Sequence, residues 1–128
     1  MTTITEFLMA RIDEDEKAAR EATEGPWERT IDEHGPDETD VGVWSDTANR
    51  YPVETLVVGN LNHMADAAHI ARHHPARVLS ECRAKRSLVD SHSGCDDVSY
   101  GDASTCPVVR ALASVYADHP DFRQEWRA

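Results

Sequence analysis

The sequence predicts an α+β fold: a small three-stranded antiparallel sheet packed with about four helices in a single domain. Three observations carry that expectation. Apolar residues recur every three to four positions over 4–22, 64–89 and 108–116, the period of a buried helix face. Between the first two stretches, Trp27 to Val58 changes to short alternating or β-branched runs separated by Gly, Pro and Asp, the pattern of strands and turns. The chain has 128 residues, 40% of them apolar, which suits one domain with its own core. The expected organisation is an N-terminal helix in 1–24, a β-meander in 27–59, two helices in 62–91, a loop in 92–106 and C-terminal helices in 107–128.

Each element has a local reason. Thr3-Ile4-Thr5-Glu6 reads as a capping box, in which Thr3 and Glu6 satisfy each other's amides. The helix it opens carries Ile4, Leu8 and Ile12 on one stripe beside Phe7 and ends before Gly25-Pro26. Trp27 to Ile31 alternates apolar and polar, Val41 to Trp44 is a second strand, and Thr55 to Val58 is the most β-branched run. The connections through 32–40 and through Asn49 and Pro52 are turn-like. Asn62 can cap a helix lined by Met64, Ala67, Ala68 and Ala71. His74-Pro75 breaks it and starts the next, which runs to Ser91 and turns Val78, Leu79, Cys82 and Val89 inward. Pro107 to Ala117 forms a further helix with Val108, Val109, Leu112 and Tyr116 inward. A last short helix opens at Asp118-His119-Pro120, and there Phe122 and Trp126 clamp onto the body.

Charge excludes some functions. The formal net charge is −11, and residues 1–64 carry 15 acids against 5 bases. Such a surface repels phosphate backbones, so direct nucleic-acid binding is not expected. No apolar run reaches the length of a membrane helix, and no basic-then-apolar leader opens the chain, so a cytoplasmic protein is expected. The three cysteines are an odd number, which fits reduced thiols better than a disulfide framework. P-loop, dinucleotide and nucleophile-elbow glycine patterns are missing, and no Ser/His spacing marks a nucleophile with its base. No catalytic residue is assigned, and the expectation is a protein that is not an enzyme.

Several segments resemble a known family. They are Phe7-Leu8-Met9-Ala10-Arg11-Ile12-Asp13-Glu14-Asp15-Glu16, Gly25-Pro26-Trp27, His69 through Leu79, Ala84-Lys85-Arg86, Tyr116 through Phe122, and Glu125-Trp126. Together they resemble an uncharacterised family of short actinobacterial and actinophage proteins, domain of unknown function 6221. The order of Gly-Pro-Trp, strand and Pro-Ala-Arg-Val-Leu is also similar to a wider set of small phage early proteins. The resemblance implies a source and a fold, and it carries no assigned activity.

Two sets of residues are candidate sites. His92, Cys95 and Cys106, joined by His119, offer the nitrogen and sulfur ligands of a zinc site around the 92–106 loop. The His-x2-Cys spacing makes one half of such a site, while Cys106 lacks a ligand two to four residues away; two thiols and a solvated histidine are the plainer reading. Arg77, Arg83, Lys85 and Arg86 form a basic cluster that suits an acidic partner, or pairs internally with Glu14, Asp15 and Glu16. Trp44 joins the partner-binding set if it stands on the open face of the meander. His69 and His73, one helical turn apart, are set aside as a helix-edge pair, because Ile70 stands where a zinc protease has its Glu. The preferred function is a non-enzymatic phage or prophage accessory protein that binds a host protein, with no resident cofactor. Alternatives are a small zinc protein and an acidic nucleic-acid mimic. The sheet edges also suit a homodimer.

Overall fold

In the computed structural model the described residues are 2–33, 39–45, 55–61, 64–92 and 106–128. Cys95, the Asn62 cap and the turn through Asn49 and Pro52 lie outside them. Helix α1 spans Ile4–Glu21, strands β1, β2 and β3 span Trp27–Glu33, Thr39–Ser45 and Thr55–Leu61, and helices α2, α3 and α4 span Met64–Arg72, Pro75–His92 and Pro107–Ser114. A 3-10 turn at Gln124–Trp126 follows. The chain divides into two units, one of residues 1–16 and 80–128, the other of residues 17–79.

The 17–79 unit holds the strands. They run β1-β2-β3, antiparallel throughout, so β1 and β3 are the edges. Trp27 pairs with Ser45 and Glu33 with Thr39, while the β2–β3 register slips on either side of Val43. Helix α2 lies on the sheet. Ala67 and Val43 are fully buried there, and Trp27, Met64, Ile70 and Ala71 pack around them. The segment after α1 is tied in by two hydrogen bonds: Trp27 Nε1 donates to the Thr23 carbonyl at 2.8 Å, and the buried Ser45 hydroxyl donates to the Glu24 carbonyl. Gly25 sits where an added Cβ would come within 3.3 Å of the Trp27 amide nitrogen.

The fold-class expectation of a sheet packed by about four helices is corrected here. The described residues are mostly helical, with helices of 18, 9, 18 and 8 residues against three seven-residue strands. Among the described residues α2 is the helix seated on all three strands. The physical reason is size and pattern. A sheet of only three strands has a limited inner face, and the nine-residue α2 lies across all three strands. The remaining apolar stripes match each other instead.

That matching builds the core of the other unit. Ile4, Phe7, Leu8 and Ile12 of α1, Cys82 and Val89 of α3, Cys106 and α4 residues Val109 and Ala113 are all buried. The capping box forms as expected: the Thr3 amide donates to Glu6 Oε2 at 2.8 Å and the Glu6 amide to Thr3 Oγ1 at 3.1 Å. Helix α4 is shorter than the sequence predicts, and the chain leaves it through successive tight turns from Leu112 to Phe122. Phe122 and Trp126 then fold onto Phe7, with ring centroids 5.9 and 5.2 Å from it.

Candidate functional site

The basic and acidic candidates meet on the helical unit. Arg86 of α3 reaches α1, where its Nε donates to Glu16 at 3.0 Å and its Nη2 to Asp13. Its Nη1 lies 3.9 Å from the Met9 sulfur. Donating to Glu16, and then to Asp13, holds the guanidinium charged well beyond its ordinary range. Lys85, one residue earlier, donates to the Tyr116 hydroxyl at 3.1 Å and lies 5.1 Å from the centre of that ring. Tyr116 in turn donates to Asp15 Oδ2 at 2.6 Å. Burial first, and then the bond to Asp15, pushes the Tyr116 phenol above its usual pKa. The neighbouring Cys82 thiol is also pushed up, by burial and then by the Asp15 charge, so it stays a protonated, apolar core group.

The other two basic candidates make different contacts. Arg83 is exposed and reaches only one turn back, to Ser80 Oγ at 3.0 Å. Arg77 lies in the 17–79 unit, where its Nη1 approaches the Arg72 carbonyl at the end of α2 at 3.4 Å. Trp44 occupies the central strand between Glu28 of β1 and Leu56 of β3, and its side chain is outside the described residues. Of the basic candidates, Lys85 and Arg86 are engaged within the helical unit, by Tyr116 and by Glu16 and Asp13.

Of the zinc candidates, the structure brings two together. His92 ends α3 and Cys106 precedes α4, and Cys106 Sγ lies 3.7 Å from His92 Nδ1. Two ligands of a tetrahedral zinc, at about 2.0 Å for nitrogen and 2.3 Å for sulfur, stand roughly 3.6 Å apart. Cys106 is 3% exposed. His119 is placed elsewhere. Its ring packs edge-on against Phe7 at 5.7 Å, receives the Arg11 guanidinium 2.8 Å from Nδ1, and accepts the Asp121 amide at 3.1 Å. Among the described residues no three His, Cys, Asp or Glu side chains gather as a metal ion requires.

The sequence reading missed the Arg11–His119 contact and the burial of Ala113. The first joins residues 108 positions apart and leaves no local signal. The second has one, since Ala113 stands four residues after Val109 on the same stripe. Helices α3 and α4 run antiparallel, because His92 meets Cys106 at one end and Lys85 meets Tyr116 at the other. The outward row comprises Pro107 and Ala111 of α4 with Val115 just beyond its end, and on α3 it includes Ala84 and Leu88. Val115 is 65% and Leu88 42% exposed, the two large apolar side chains left most open among the described residues.

No helix of the described residues is long and apolar enough to cross a membrane. A family model, described as a family of unknown function (DUF6221), matches residues 1–128. No curated protein and no solved structure matches the chain.

Proposed function

From the premise that the chain belongs to DUF6221, a family of unknown function, we propose that it is a non-enzymatic accessory protein of an actinobacterial phage or prophage that binds a host protein. One observation carries this reading. Arg86 pairs with Glu16, and Lys85 and Asp15 meet at Tyr116, while Leu88 stands open on α3 and Val115 just after the antiparallel α4. Outward apolar side chains on a strongly acidic protein suit a partner with an apolar pocket and a basic rim. The same pairing weakens the mimic alternative, since Glu14 binds Arg11, Asp15 accepts from Tyr116 and Glu16 accepts from Arg86. The test is affinity capture from an actinobacterial lysate with the native chain and with a Leu88→Glu, Val115→Glu double variant. One protein retained in stoichiometric amount, and reduced at least tenfold by the variant, is expected. Retention that the variant leaves unchanged overturns the assignment of this surface.

A second reading is favoured by the His92–Cys106 separation: a structural zinc site closing the 92–106 loop, with Cys95 as a further ligand. Elemental analysis of tag-free protein checks it. About one zinc per chain, lost in His92→Gln and in Cys95→Ser, is expected; zinc below one-tenth of an equivalent removes the reading.

A further inference from the structure

The geometry points to a divalent transition-metal site at the end of α2, formed by His69 and His73. Both residues are exposed, and they lie four positions apart, on one face of a helix. His73 follows the last residue of α2, yet its amide still donates to the carbonyls of His69 at 3.3 Å and Ile70 at 3.1 Å, so it keeps the helical path. The two imidazoles are side by side, with ring centroids 4.6 Å apart and planes tilted by 54°.

That arrangement suits a shared ion. Two imidazole nitrogens at about 2.0–2.1 Å from one metal stand roughly 3 Å apart, with the ring centres farther out than the nitrogens. Rings with centres 4.6 Å apart reach this by rotation about their own side-chain bonds, without moving the helix. Position helps as well. The carbonyl end of α2 carries the negative pole of the helix dipole, which favours a cation there. The exposed Asp66 lies three residues before His69 and adds negative charge on the same side, against the positive charge of Arg72. No third described side chain completes a cage, so water fills the remaining positions.

The ligand chemistry selects the ion. Neutral imidazole prefers zinc, nickel and copper over magnesium and calcium, which demand oxygen. The site is independent of the zinc reading at His92 and Cys106, since it uses different residues in the other unit. A bound ion clamps the last turn of the helix that covers the sheet, so its effect is to stabilise that unit by mass action.

The experiment uses the full, tag-free chain labelled for heteronuclear NMR and titrated with nickel chloride, a paramagnetic probe. Amide signals around 69–73 are expected to broaden first. His69→Asn and His73→Asn, both at exposed positions, are each expected to weaken nickel binding at least tenfold while leaving the circular dichroism spectrum unchanged. Calcium chloride is expected to shift none of these signals. Broadening centred on other residues, His92 and Cys106 included, overturns the proposal. So does a loss of less than tenfold in either variant.

Discussion

Trp126→Ala is expected to lower the unfolding free energy of the helical unit by about 3–5 kcal/mol, the cost of emptying a buried indole site. Trp126 is 2% exposed, with Arg127 and Ala128 following it in the sequence. Its ring sits 5.2 Å from that of Phe7 and 5.9 Å from that of Phe122, and the Arg123 guanidinium lies 5.2 Å from its centre. The same cluster supports His119, which also packs edge-on against Phe7 and holds Arg11. Exposed ion pairs such as Lys17–Glu21 contribute about 0–1 kcal/mol, so the C-terminal clamp outweighs them singly. Urea unfolding followed by far-ultraviolet circular dichroism measures the change. Trp126→Phe, which keeps an aromatic ring, is expected to retain most of the stability. A loss below about 1 kcal/mol for Trp126→Ala would mean that the segment after α4 is not part of the cooperative core.

The clamp was legible in sequence because Phe122 and Trp126 are the last apolar pair of the chain and share a four-residue spacing. The capping box at Thr3 and Glu6 was legible for a similar reason: its geometry is set within four residues. So was the start of α3 at Pro75, where the ring fixes the first helical dihedral. What the sequence withheld is which apolar face meets which. Period 3.6 shows that α1 and α3 each have a buried stripe, and says nothing of whether the stripe meets a sheet or another helix. The expectation that about four helices pack on the sheet failed at that step. The candidate sites divide along the same line. His92 and Cys106 are 14 positions apart, one ending α3 and the other preceding α4, a separation close enough in sequence to suggest their meeting. His119 was grouped with them by residue type alone, and the fold spends it on Phe7 and Arg11. The basic run was read as a patch because its members are close in sequence. Helix rotation then sends Arg86 to α1 and Arg83 to solvent.

Arg86→Met is the second large effect, and it separates a buried ion pair from a surface one. Glu16 is 14% exposed and Asp13 67%, so Arg86 bridges a nearly dry carboxylate and a wet one. A wholly exposed pair would contribute about 0–1 kcal/mol. Removing one partner of a fully buried pair costs about 3–5 kcal/mol, because the remaining charge stays desolvated. The intermediate burial places the expected loss at about 2–3 kcal/mol. Methionine keeps an unbranched apolar stem beside Met9, so the loss reads the charge rather than a cavity. The decisive measurement is a double-mutant cycle with Glu16→Gln. Once Arg86 is absent, neutralising Glu16 removes a repulsion with Asp13 and a desolvation cost. Adding Glu16→Gln to Arg86→Met is therefore expected to recover part of the stability, with a coupling energy of about 1–3 kcal/mol. A coupling below about 0.5 kcal/mol would make the bridge equivalent to a surface pair. Arg86 would then be available to an acidic partner at little cost to the fold, returning the basic run of α3 to the set of binding residues.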